Sequence, residues 1–288
     1  MRSWLITSVL WMSAIAPVFG QGTGDPRVLL KDVELTIDGK VVGKLPAGST
    51  VMILDTKDSL LFSGIGKTGW FPRESAVTLE QGLEYFSRAI DDNPRDARAF
   101  VGRGNIYFRQ GDNAKAIVDY DQAIQLNAQD PEPFRWRGWS WKRQGDDSKA
   151  LASLNEAIRL DPRDAPSWRI RGAVYSAQKD YPQCRVNYDR SIELDPFDAD
   201  LFNHRAVLLG RCPDKSFRDP VQGLKDAIRA CELASWKTPH YMTNLAVAYS
   251  QVSDQAQADN WLEQALKSAS PDDRARLTKA IETQRETK

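Results

Sequence analysis

The stretch PEPFRWRGWSWKRQGDDSKALASLNEAIRLDPRD, residues 131–164, recurs along the chain at a fixed step of 34 residues. One step forward, Trp168 stands for Phe134, Gly172 for Gly138, Tyr175 for Trp141 and Pro196 for Pro162. One step back gives Phe100, Gly104 and Tyr107. A unit of this length cannot bury its own apolar face, so a fixed period demands a stacked array in which each unit covers the next. Within one unit the residue types describe two antiparallel helices. Gly138, Ala150 and Ala157 are small enough to let the backbones approach, and Phe134, Trp141 and Leu154 fill the space around them. Gly145-Asp146 makes the turn, and Asp161-Pro162 stops the second helix.

Composition narrows the function classes. Lys plus Arg and Asp plus Glu both count 39, so no bulk charge draws the chain to nucleic acid. Three cysteines and two histidines are too few and too scattered for a metal-ligand set. His204 and His240 have no sequence-evident Ser or Cys partner, and no carboxylate pair has a recognisable catalytic context. The chain therefore reads as a non-enzyme with neither metal nor cofactor.

The order large, small, aromatic, small, aromatic, small, Pro resembles the tetratricopeptide repeat family over residues 79–271. Full units run over 97–130, 131–164 and 165–198. A fourth opens in register on Phe202 and Ala206, is lengthened over 210–220, and resumes at Gly223, Ala227 and Ala230. A fifth carries Leu245, Ala246, Tyr249, Ala258, Leu262 and Ala265. Gly82, Phe86, Ala89 and Pro94 match a second helix alone, a half repeat. Ala128 stands where Pro is usual, and Cys184 and Ser191 replace alanines. The charged residues 272–288 suit a C-terminal capping helix.

The N-terminal part differs. Arg2, an apolar run over 4–16, and Val18 and Gly20 at the small cleavage positions read as a signal peptide over residues 1–20. The alternative, an uncleaved anchor, would be short for a bilayer span. No membrane span is expected after cleavage. Residues 26–78 hold short β-prone runs at 28–37, 41–45, 51–54 and 60–62, punctuated by Asp38-Gly39, Pro46-Ala47-Gly48 and Gly64-Ile65-Gly66. That spacing predicts a small five-stranded barrel. Gly69-Trp70-Phe71-Pro72 and the preceding VVGKLPAGSTVMIL resemble bacterial Src-homology-3-like domains. Gly66-Lys67-Thr68 imitates the end of a phosphate loop, but Leu61 stands where that loop needs Gly and no helix follows, so a hairpin is expected. The fold class is thus mainly α, a helical-hairpin solenoid preceded by a small all-β barrel.

The family resemblance implies a protein-binding scaffold whose first helices line a concave groove. Carried onto this chain, the inward positions are Arg98, Asn105 and Arg109, then Arg135, Trp139, Lys142 and Arg143, then Arg169 and Asn203. This set is basic and aromatic, suited to a peptide bearing carboxylates. The other reading is a face whose arginines pair with neighbouring Asp or Glu. Val101 and Pro166 occupy two positions of the family's chaperone-tail clamp, which argues against that ligand. Arg103, Arg137, Arg171 and Arg205 recur at one repeat position, which predicts a structural bridge to second-helix residues such as Asp119 or Asp189. Cys212 and Cys231 stand either as a disulfide pinning the long turn or as two packed thiols. The whole reads as an exported envelope scaffold binding a protein or peptide segment. The alternative is an envelope assembly component acting through its convex face or its barrel.

Overall fold

A computed structural model describes residues 26–270, apart from 32, 38–39, 46, 48, 57–58, 65–66 and 73–75, together with 274, 275 and 278. The signal segment and most of the C-terminal cap therefore lie outside the described residues. The chain forms two compact units, Met1–Leu126 and Asn127–Lys288.

The first unit holds strands β1 (Pro26–Leu29), β2 (Val33–Ile37), β3 (Lys40–Leu45), β4 (Thr50–Thr56), β5 (Ser59–Gly64), β6 (Lys67–Pro72) and β7 (Ala76–Thr78). They make one sheet in the order β3-β2-β6-β5-β4-β1-β7, and its paired strands are antiparallel. The run 28–37 proves to be two strands. β1 pairs with β4 and β7, while β2 pairs with β3 and β6, so the chain must turn between them. Gly64 pairs with Lys67 and Ser63 with Thr68 across β5 and β6, which is the expected hairpin and not a helix start.

Helix α1 (Leu79–Asp92) follows β7 directly, through a capping box in which Thr78 and Gln81 exchange backbone–side-chain hydrogen bonds of 3.2 and 3.1 Å. Gly82 lets it lie against β1: a Cβ there would clash with Val28 Cγ1. Val28, Phe86, Ile90, Phe100 and Ile106 form the core with α2 (Ala97–Gln110), and α2 pairs in turn with α3 (Asn113–Leu126).

The second unit is four helical hairpins. They are α4 (Pro131–Gln144) with α5 (Asp147–Leu160), α6 (Ala165–Ala177) with α7 (Tyr181–Leu194), α8 (Ala199–Arg211) with α9 (Pro220–Leu233), and α10 (Pro239–Gln251) with α11 (Gln255–Ser268). The crossing points fall where the repeat puts small residues. A Cβ on Gly138 would meet Leu154 Cγ at 2.7 Å, and Ala150, Leu154 and Ala157 are fully buried. Asp side chains cap α4 to α9 and α11 by accepting from backbone N–H groups of the first turn. Each such cap stabilises by about 1 kcal/mol. The α4–α5 turn uses Gly145 at φ 84, whereas Lys179 (φ 62) and Ser253 (φ 65) take the left-handed conformation at the α6–α7 and α10–α11 turns.

The long turn after α8 is pinned without a disulfide. Arg218 Nε donates to the Cys212 carbonyl at 2.6 Å, Asp219 N–H donates to the Leu209 carbonyl at 2.9 Å, and the Phe217 ring lies 6.4 Å from that of Tyr181. Cys212 and Cys231 are both free and buried, which is the packed-thiol alternative of the two. The physical reason is that the two thiols serve different packing sites. Cys231 belongs to an apolar cluster with Ala206, Tyr241 and Leu245, while Cys212 ends α8 beneath the long turn. Burial pushes the Cys231 and Cys184 thiols up to about 12, so both stay protonated at neutral pH.

Candidate functional site

Two arginine ladders run through the repeats, and they leave different residues available. The first joins the helices of each hairpin. Arg103 grips Asp119 through two bonds of 2.9 and 2.7 Å. Arg137 donates to Ser153 at 3.1 Å, and Arg171 donates to Asn187 and Asn155, each at 2.7 Å. Arg205 holds Asp226 at 2.7 and 2.9 Å and Asp189 at 2.6 Å. Each guanidinium also covers the ring three residues earlier, Phe100, Phe134, Trp168 or Phe202, at 4.5 to 5.9 Å. The recurrence at one repeat position is therefore structural, as the sequence suggests.

The second ladder runs between successive first helices of the second unit. Arg135 on α4 pairs with Asp164 at 2.7 Å and lies 3.7 Å from Glu132, and Arg169 on α6 pairs with Asp198 at 3.3 Å. Asp164 and Asp198 are the N-caps of α6 and α8. Each carboxylate thus serves a cap and a guanidinium at once, and locks one repeat to the next. Burial works against the Arg135 charge, but Asp164 and Glu132 outweigh it and hold its pKa up. Between the two arginines, Trp136 and Trp139 stack at 5.6 Å and 3°. The Arg135 and Arg169 guanidiniums each lie 5.6 Å from one of these rings.

Several residues expected to line a groove are placed otherwise. Arg169 is 6% exposed, Asn105 3% and Asn203 5%, so none of the three offers a free surface. Asn105 accepts from the Tyr120 hydroxyl at 2.8 Å, and Asn203 accepts from Asn244 at 2.8 Å. Their polar groups are used to satisfy the interior, where an unpaired amide is costly. Arg98 is exposed at the start of α2, and Arg109 is half-buried in that helix's last turn. On α4, Trp139 and Lys142 are half-buried, and Arg143 is exposed. Burial pushes the Lys142 pKa down against the pull of Asp147, and pushes Arg143 down as well.

Sequence reasoning missed a crevice between α8 and α10. Ala206, Val207, Gly210 and Arg211 line one side, and Asn244, Val247, Ala248 and Gln251 the other. Asp200 accepts from the Tyr241 hydroxyl at 2.5 Å, 41 residues apart, the same offset as Asn203 to Asn244. The two helices therefore run in step, side by side. Arg211 stands two repeat steps after Arg143, so the period itself could have found it. Burial alone pushes its pKa down, and among the described residues its side chain has no carboxylate partner. Deeper in the same row, His204 stacks on Tyr188 at 6.3 Å with Nδ1 buried and unpartnered, and burial holds its pKa below 6.5. Among the described residues no group of three His, Cys, Asp or Glu could hold a metal ion. Among them, too, no helix is long and apolar enough to cross a membrane.

A family model described as "TPR repeat" matches residues 104–140. No curated protein matches the chain. Among solved structures the chain is similar to YrrB, described as "a TPR protein with an unusual peptide-binding site". That match has 17% identity, covers 69% of this chain and 99% of that one, and has a TM-score of 0.51. It is similar to PilW, described as a "widely conserved type IV pilus biogenesis factor", at 16% identity over 65% and 84% of the two chains, with a TM-score of 0.57. The APC/C hetero-tetramer Cut9-Hcn1 matches at 16% identity over 70% of this chain and 39% of that one, with a TM-score of 0.60. At these identities the likeness is one of fold. Taken with the 34-residue step and the hairpins, it shows that the chain carries tetratricopeptide repeats and has their helical solenoid fold.

Proposed function

We propose that this chain is a non-enzymatic scaffold that holds a peptide or protein segment on the face formed by the first helices of its repeats. One observation carries this reading. Lys142 and Arg211 are partly desolvated cations whose side chains make no ion pair or hydrogen bond among the described residues, while the arginines of both ladders are ion-paired or hydrogen-bonded. Charge withdrawn from water with no ion pair or hydrogen bond to hold it is destabilising, and such perturbed groups cluster at functional sites. The Trp136–Trp139 stack beside Lys142 adds the rigid aromatic surface that interfaces favour. YrrB, with its peptide-binding site, supplies a precedent on the same fold.

Export and an envelope location belong to the same reading. They are supported by Arg2, the apolar run and the small residues at 18 and 20. The N-terminal sheet is taken as a Src-homology-3-like barrel. In support, β1 lies between β4 and the last strand β7, the run β4-β5-β6 is a meander, and the hairpin β2–β3 joins at β6. The barrel and the outer helices are the alternative contact surfaces.

The test is selection of end-blocked peptides from a random library on the immobilised full chain, compared with a Trp139→Ala/Lys142→Gln variant. The expected result is enrichment of carboxylate-bearing peptides whose binding falls at least tenfold in the variant. No enrichment, or equal binding by both proteins, would overturn the reading.

A further inference from the structure

The first half of α8 is a junction with three other helices. Asp198, its N-cap, pairs with Arg169 of α6 at 3.3 Å, and Asp200 accepts from the Tyr241 hydroxyl of α10. Asn203 accepts from Asn244 of α10 at 2.8 Å, and the His204 ring stacks on Tyr188 of α7 at 6.3 Å and 22°. The sequence has two histidines, and both belong to this junction. His204 lies on α8, and His240 lies in the first turn of α10 with its ring 4.3 Å from that of Tyr241. At the repeat position of His204 the preceding first helices carry Gly102, Trp136 and Ile170, none of which can take up a proton. A side chain able to change charge between pH 5 and 8 thus stands where the earlier repeats keep an uncharged one.

The surroundings of the ring decide what a proton does there. Around it stand Arg169 from α6, Tyr188 from α7, Asp198 and Asp200 from α8 itself, and His240 and Tyr241 from α10. Both carboxylates are already engaged, Asp198 by Arg169 and the α8 cap, and Asp200 by Tyr241. Arg169 and His240 oppose a further positive charge. Nδ1 is buried and has no hydrogen-bond partner among the described residues, so a protonated ring would hold a charged N–H with nothing to accept it. Opening the junction puts the ring in water and removes that cost. We infer that His204 is a proton latch: on acidification it takes up a proton, α8 parts from α6 and α10, and the hairpins α8–α9 and α10–α11 open while α2–α5 stay folded. An array in which each repeat touches only its neighbours can open at one end in this way. The ring titrates near 6.5 when open and below that when closed, so the closed junction is favoured above 6.5 and loses ground below it. At pH 5.5 opening becomes up to about tenfold more frequent than at pH 7.5.

The latch depends on no peptide ligand, so its test needs none. Hydrogen exchange on the full chain at pH 7.5 and 5.5, corrected for the intrinsic pH dependence of amide exchange, reads opening helix by helix. The expected result is that protection in α8 and α10 falls severalfold, up to about tenfold, at pH 5.5, while protection in α2–α5 changes by less than about twofold. His204→Leu, which puts an aliphatic side chain at the position that holds Ile170 one repeat earlier, keeps protection equal at the two pH values. His204→Gln does the same, and serves if the Leu variant does not fold. His240→Gln retains the acid response, because that residue is exposed. Unchanged protection in α8, an equal loss in α2–α5, a loss that persists in the folded His204 variants, or one abolished by His240→Gln would overturn the inference.

Discussion

At the scale of single residues, the repeat hides its most costly interactions in pairs. Arg169 and Asp198 are both nearly buried, and Asp198 also caps α8. Removing one member of such a pair leaves a charge without compensation. We therefore expect Asp198→Ala to lose about 3–5 kcal/mol in urea unfolding. The double variant Arg169→Met/Asp198→Asn, which removes both charges and keeps a cap acceptor, should recover at least half of that. Equal loss in both would mean that the ion pair itself stabilises the fold, rather than that a stranded charge destabilises the single variant. His204 gives a pH signature with a definite sign. Its folded pKa lies below the 6.5 of the unfolded chain because burial disfavours the charged ring. The unfolded state then binds more protons as pH falls, so the contribution is complete above 6.5 and is lost progressively below it. Stability measured from pH 7.5 to 5 should fall, and His204→Gln should flatten that slope. Some of this was readable from residue types and some was not. Arg135 and Arg169 stand out as basic residues on one face. That each would be taken by a cap 29 residues later depends on how repeats stack, which pairing across helices decides. Buried Asn105 and Asn203 misled for a related reason: a repeat position names a direction on a helix, and the neighbour's side chain decides whether that direction reaches water.

At the scale of elements, the turns carry the clearest departures from ideal design. Gly111 and Gly145 adopt the left-handed conformation without strain, while Lys179 and Ser253 adopt it against steric preference. Lys179→Gly and Ser253→Gly should each raise stability by about 0.5–1 kcal/mol, the relief of strain exceeding the added chain entropy. Melting curves of the two single variants would decide this, and a lowered Tm would show that the side chains contribute more than the backbone strain costs. The hairpins were legible because large and small residues alternate at the period that helix crossing demands. The split of run 28–37 into β1 and β2 was not, because a continuous apolar run gives no sign of which partners its two ends will find. The α8–α9 insertion broke the register by eye and hid Arg211, although that residue still stands on the 34-residue step.

At the scale of the molecule, the second unit repeats one solution four times, and the proposed function uses the same face. Ladder arginines fix hairpin to hairpin, so the first helices can present Trp139, Lys142, Val207 and Arg211 on a rigid support. On the proposed function this face, and not the second helices or the sheet, receives a partner. Hydrogen exchange on the full chain, with and without a saturating library-selected peptide, tests it most directly. We predict added protection in α4, α8 and α10, with α5, α7, α9 and β1–β7 unchanged. Protection confined to the second helices or to the strands would contradict the account and move the interface off the first-helix face.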